Sequence, residues 1–134
     1  GLRAKLTQNL VLANLMQAFA EGLVLAAKNG VAPELMLQIL DNSAAKSALL
    51  SAKAPSILKR DFRTNFSTKW MHKDVGLALE SAEALDLPLP LTAMTQQMLR
   101  AAIAKGYGED DFSSTIRVLE ELGGIEVKGV GPSA

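Results

Sequence analysis

Residues 1 to 29 leave the chain little choice. They contain no proline and end at Asn29-Gly30, where glycine supplies the left-handed conformation that closes a helix. One unbroken helix is predicted, roughly 43 Å long at ~1.5 Å per residue. Its polar residues Arg3, Thr7, Asn14, Gln17, Glu21 and Lys28 fall into one stripe narrower than a quarter-turn. Leu2, Leu6, Leu12, Leu15, Met16, Phe19, Leu23, Val24 and Ala26 make most of the rest apolar. Such a helix is expected to be buried on most of its surface, so the remaining elements must wrap around it.

Lys5 and Asn9 break that pattern, and Gln8 does so more mildly. Both project from the side expected to be buried, and their i,i+4 spacing makes them neighbours. A buried ammonium must be paired or have its pKa lowered. The helix start, unfavourable to a cation, acts in the same direction. A lysine tuned that way can exchange a proton at neutral pH, and Asn9 offers an amide to hold a substrate oxygen beside it. The competing reading is that Lys5 lies near a chain end and reaches into water.

At 134 residues the chain makes one domain with a sizeable core. Its 14 basic and 14 acidic residues cancel and are well mixed, so neither a nucleic-acid groove nor an anionic membrane surface is indicated as partner. Without cysteine there is no disulfide framework and no thiolate metal site, and the single His72 cannot make a histidine pair, so no metal is expected. Cysteine usage is compatible with a cytoplasmic protein. The apolar run from Leu10 to Ala27 approaches membrane-spanning length, but Asn14, Gln17 and Glu21 interrupt one face, which predicts a buried helix rather than a span. The chain opens inside a helical pattern, without a cap or an initiator methionine, and reads as the C-terminal piece of a longer polypeptide.

Further along, a second helix is predicted from Pro33 to Asp41, proline suiting a first helical position. Ser43 is expected to cap a third over Ala44 to Lys53, with Pro55 disturbing the helical pattern beyond it and a short helical turn left open for Pro55 to Leu58. Lys59 to Asn65 reads as a polar loop. A helix from Ser67 or Thr68 to about Leu85 is expected to bury Trp70, Val75, Leu77, Leu79, Ala82 and Leu85. Leu87 to Pro90 should be extended. Leu91 to Lys105 forms another helix, Gly106-Tyr107-Gly108 a turn, and Asp110 or Asp111 caps a last helix over Ser114 to Leu122. Ile125 to Val127 is expected to pack back, and residues 128–134 to form a flexible tail. No strand or repeat stands out. The predicted class is an all-α bundle around the long first helix.

Few residues outside the first helix suggest chemistry. Gly106-Tyr107-Gly108 lacks a preceding strand and a third glycine, so it is no phosphate-cradling loop. Ser67, Ser113 and Ser114 suit capping rather than nucleophilic work, and His72 suits packing. Lys73 and Asp74 are adjacent on a helix and therefore face different directions. They are either a solvated face or part of a site.

The stretch Gly1-Leu2-Arg3-Ala4-Lys5-Leu6-Thr7-Gln8-Asn9 resembles the G-x-x-x-K-x-x-x-N signature that opens the helical domain of the β-hydroxyacid dehydrogenases. That family includes 3-hydroxyisobutyrate dehydrogenase, tartronate semialdehyde reductase and glyoxylate/succinic semialdehyde reductase. The likeness continues through Ala20-Glu21-Gly22-Leu23, Lys53-Ala54-Pro55, Phe66 with Met71-His72-Lys73-Asp74-Val75-Gly76-Leu77-Ala78, Gly106-Tyr107-Gly108 and Asp111-Phe112-Ser113-Ser114.

The resemblance implies a fold like the C-terminal domain of 6-phosphogluconate dehydrogenase over residues 1–127, preceded in the full protein by a Rossmann domain absent from this chain. It implies an NAD(P)-dependent enzyme interconverting a small β-hydroxy acid and its semialdehyde. Lys5 would be the catalytic lysine, and Asn9 would contact the substrate oxygen and steady that lysine. Lys73 would reach the nicotinamide cofactor, NAD or NADP, held mainly by the Rossmann domain. Phe66 and Asp74 would line the cleft, Phe66 on the cofactor side and Asp74 on the substrate side. It further implies a homodimer or homotetramer assembled through the helical domain. The alternative is a non-catalytic helical oligomerisation module with both lysines solvated. The 6-phosphogluconate dehydrogenase group itself has a longer helical part than this one.

Overall fold

The computed structural model describes residues 1–130, and among them it is built from helices with no β-strand, as the sequence predicts. The elements are α1 (Leu2–Lys28), α2 (Pro33–Asp41), α3 (Ala48–Leu58), α4 (Thr68–Ala84), α5 (Pro90–Ala104), a 3-10 turn (Phe112–Ser114) and α6 (Thr115–Gly123). α1 is the axis: α4, α5 and α6 pack along it, and α2 and α3 touch it as well. Met16, Ala20 and Leu23 of α1 meet Ile57, Met71, Val75, Leu99, Ile116 and Val127 in one continuous core. Each large side chain buried there contributes about 1.5–3 kcal/mol. By length and composition α1 passes for a membrane-crossing helix, yet here it is the core helix of a bundle and buries Asn9 and Gln17.

The orientation of α1 departs from expectation. Its polar stripe does not face solvent squarely. Asn14 turns toward α5 and donates to Thr92 Oγ1 at 3.0 Å, and Gln17 is buried. The outward surface lies about 90° to one side of that stripe at ~100° per residue, and it carries Ala4, Gln8, Val11, Leu15, Ala18, Gly22 and Leu25. A narrow polar stripe showed that much of the helix is apolar. It did not show that all the apolar surface is covered.

α3 differs too. Ser43 donates to Leu40 O and accepts from Ala45 N, closing a turn after α2. Ser47, in extended conformation, is the residue that caps α3, accepting from Leu49 N. The helix then runs through Pro55 instead of stopping before it. Proline removes one N–H near the C-terminal end, and the carbonyl four residues earlier belongs to exposed Ser51, so water can satisfy it. α5 likewise starts at Pro90 rather than after it, a position proline favours.

In α4 the Ser67 cap is as predicted, accepting from Trp70 N. Its buried stripe is Thr68, Met71, Val75, Ala78 and Ala82, whereas Trp70, Leu77 and Leu85, expected inside, are exposed. Ile125 to Val127 packs back as expected, with Val127 fully buried. The chain beyond is tethered rather than free: Gly129 N donates to Leu58 O and Val130 N to the Glu34 carboxylate. Residues 131–134 of the expected tail lie outside the described residues. Arg60, just past α3, has a left-handed φ of 57°. It is held there by two bonds to the buried Glu120 carboxylate and one to Val127 O.

Candidate functional site at the α1–α4 junction

Two of the residues singled out from the sequence, Asn9 and Asp74, meet where α1 packs on α4. Asn9 is buried and its Nδ2 donates to Asp74 Oδ2 at 2.8 Å. This bond joins two residues sixty-five positions apart. Lys5 sits one turn before Asn9 on α1. Lys73 precedes Asp74 on α4 and points elsewhere, its Nζ lying 4.8 Å from the centroid of the Trp70 ring.

Lys5 is exposed, as are residues 1–4, although Arg3 borders a groove with Ala78 and Ser81 of α4 and with Leu85 just after it. Lys5 has the predicted helical direction, but no element of this chain covers it. The desolvation expected for it is therefore not supplied by this chain. Among the described residues neither Lys5 nor Lys73 is in an ion pair, while Asp74 is occupied by Asn9. Lys5 and Lys73 are thus two exposed lysines carried by the two helices that the Asn9–Asp74 bond joins.

Phe66 immediately precedes the α4 cap and packs edge-to-face on Phe112, with ring centroids 6.4 Å apart and planes at 80°. Its position is set by a residue the sequence marked only as a cap. Asp111 does cap the 3-10 turn, accepting from Ser113 N. Its carboxylate also accepts from Asn65 N at 3.1 Å, Phe66 N at 3.2 Å and Lys53 Nζ at 2.9 Å. The Lys53 ammonium lies 4.8 Å from the Phe112 ring as well. Burial acts to raise the Asp111 carboxyl, but the bonds from Lys53 and Ser113 outweigh it and hold it below its ordinary value. One carboxylate thereby fixes the strap that delivers Phe66 to α4. A sequence signal existed: Lys53 stands in the buried stripe Leu50, Lys53, Ala54, Ile57 of α3, where a cation requires a partner.

Trp70 was missed as well. Expected in the core, it is half exposed and carries Lys73 over its ring. His72, expected to pack, is held below its ordinary pKa by burial and by Arg100, whose Nε lies 3.4 Å from the ring nitrogen.

Residues 1–119 match the family model described as the NAD-binding part of NADP-dependent 3-hydroxyisobutyrate dehydrogenase. The chain belongs to the β-hydroxyacid dehydrogenase family. It is 39% identical over 130 residues to 2-(hydroxymethyl)glutarate dehydrogenase of Eubacterium barkeri, covering 96% of this chain and 43% of that one. To glyoxylate/succinic semialdehyde reductase 2 of Arabidopsis thaliana it is 32% identical over 120 residues, covering 90% and 34%. The solved 3-hydroxyisobutyrate dehydrogenase of Salmonella typhimurium superposes with a TM-score of 0.82 at 28% identity, over 86% of this chain and 40% of that one. The chain therefore spans about two fifths, or less, of the length of these relatives. The all-helical architecture agrees with that solved relative.

Proposed function

We propose that this chain is the helical part of a longer NAD(P)-dependent dehydrogenase that interconverts a small β-hydroxy acid and its semialdehyde, with Lys5 as general acid and base. The observation that carries the reading is the Asn9–Asp74 bond. It fastens α1, which carries Lys5 one turn before Asn9, to α4, which carries Lys73 next to Asp74, and both lysines are exposed. Asn9 spends its amide N–H on Asp74, leaving its carbonyl oxygen to accept from Lys5 or from a substrate hydroxyl. An ammonium within hydrogen-bond reach of a carbonyl oxygen stabilises the negative charge that develops there and delivers the proton. In the reverse direction the neutral amine removes the hydroxyl proton. A second domain closing over Lys5 would supply the desolvation that it lacks here.

The nicotinamide cofactor, when bound, supplies hydride exchange with the substrate carbon. Exposed Lys73 stacked on exposed Trp70, with Phe66 at the head of the same helix, fits the charged and aromatic edge of such a group. No glycine-rich phosphate loop is present in the sequence, so these residues fit one end of the cofactor and not the whole of it. The 134-residue chain alone is expected to show no turnover of 3-hydroxyisobutyrate-like acids with NAD or NADP, and the full-length protein is expected to show it. Activity of the isolated chain, or none from the full-length protein across small hydroxy acids with both cofactors, would overturn the proposal.

Lys73→Ala in the full-length enzyme is expected to raise the KM for the nicotinamide cofactor about tenfold while leaving the urea midpoint nearly unchanged. The reason is that an exposed lysine contributes little to stability. Steady-state kinetics at varied cofactor concentration tests this, and an unchanged KM would return Lys73 to a solvated face. The same reading places the helical part, in a soluble cytoplasmic protein, at the interface of a homodimer or homotetramer.

A further inference from the structure

Polar residues meet between α1 and α5 in two layers. In the first, Asn14 Nδ2 donates to Thr92 Oγ1 at 3.0 Å. Three residues further along each helix stand Gln17 and Thr95, and there the analogous bond is not made. Gln17 turns its Nε2 to Glu21 Oε2 at 3.3 Å instead. Gln17 is only 5% exposed and Thr95 1%, yet Gln17 Oε1 and Thr95 Oγ1 have no hydrogen-bond partner among the described residues. Oxygens stranded in that way cost stability, and native structures keep few of them.

Both residues line one groove of about 580 Å³, the size of an ordinary small-molecule site. Leu91, Met94 and Met98 give it apolar walls. Glu21 stands in the same lining, exposed and in no ion pair among the described residues. None of the described lining residues is basic, and Gln97 is the one other polar side chain among them.

We infer that this groove binds a small primary amine. Its ammonium donates to the Glu21 carboxylate, Gln17 Oε1 and Thr95 Oγ1, and its alkyl chain lies on Leu91, Met94 and Met98. An ammonium has three N–H donors and no acceptor, which matches three oxygens that can all accept. The Glu21 carboxylate adds the opposite charge, and a charge-assisted bond is the stronger kind. An alcohol, with a single O–H, could donate to only one of the three. A quaternary ammonium carries the charge without a donor, and a carboxylate would be repelled by Glu21. Neither orphaned oxygen is open to solvent, so the ligand reaches them by displacing the side chains beside them. Met94 is 72% exposed, and the unbranched thioether chain of methionine repacks readily around a guest. Gln17 lies twelve residues beyond Lys5 on α1, roughly 18 Å, which sets the groove away from the proposed catalytic lysine.

Hexylamine is the probe, titrated in phosphate buffer at neutral pH against the 134-residue chain with isotope-labelled methionine methyl groups, and against the longer protein labelled alike. The methionines supply both local and remote reporters, since Met94 and Met98 line the groove while Met36 and Met71 do not. The Met94 and Met98 methyl signals are expected to shift saturably, with a Kd on the order of 1 mM, and those of Met36 and Met71 to stay in place. Hexanol, hexyltrimethylammonium and hexanoate are each expected to bind about tenfold more weakly or not at all. Glu21→Gln, a surface substitution, should weaken hexylamine about tenfold. Thr95→Val should weaken it about fivefold without lowering the urea midpoint, because the hydroxyl it removes has no partner. No shift at Met94 and Met98 up to about 20 mM, well above that Kd, would overturn the inference. So would hexanol binding as tightly as hexylamine, or a Glu21→Gln variant binding like the parent. A lowered midpoint for Thr95→Val would show that its hydroxyl is already bonded in the free protein, against the inference. Binding to the 134-residue chain but not to the longer protein would likewise overturn it, because another domain or a second copy then fills the groove.

Discussion

Replacing Lys5 with alanine in the full-length enzyme is expected to lower kcat by on the order of 10²-fold or more, the scale of a lost general acid. The KM for the nicotinamide cofactor should change little, because the proposed cofactor contact is Lys73 on the other helix. Folding should be unaffected, since Lys5 is exposed and makes no ion pair among the described residues. Steady-state kinetics of both substrates and a urea titration separate these outcomes. A variant keeping near-normal kcat would remove Lys5 from the chemistry. A variant that lost kcat only through a lower unfolding midpoint would make it structural, against its exposure.

Asp111→Ala is expected to have the largest effect on stability, about 3–5 kcal/mol, the usual cost of stranding one partner of a buried pair. The Lys53 ammonium and the N–H groups of Asn65, Phe66 and Ser113 would lose their acceptor together. Against a total of about 5–15 kcal/mol for an ordinary domain, that loss is a large share. Urea unfolding measures it, and a loss under ~1 kcal/mol would show that water replaces the carboxylate readily. The same group predicts an acid limb. Its folded pKa lies below the ordinary value of 3.8, so its contribution is fully present above that value. The contribution is lost as pH falls from there through the lower folded value. Asp111→Asn should unfold in urea with a flatter dependence on pH across that window than the parent chain.

Much of the fold was legible in the residues themselves because it rests on local physics. A long proline-free stretch closed by Asn29-Gly30 can only be a helix, and Ser67 caps α4 through a bond spanning three residues. The family signature around Lys5, Asn9, Lys73 and Asp74 was readable for the same reason, as fixed spacings within single helices. The meeting of those helices was not readable in that way. Asn9 and Asp74 are joined only because α1 and α4 pack together, and nothing within nine or ten residues of either one specifies the other.

The order of residues settles the period of each helix, most of its caps and the residue types at the candidate site. Packing between helices settles which side of each one is covered. Periodicity states that an apolar face exists but not which neighbour arrives to bury it. Thus Trp70 went outside, Lys53 went inside to Asp111, and α1 turned an apolar seam to solvent while Gln17 went inward. Pro55 was decided likewise. An isolated helix would break there, but α3 is held on both sides of the proline by Leu50, Ala54 and Ile57 in the core, and that burial outweighs one missing hydrogen bond.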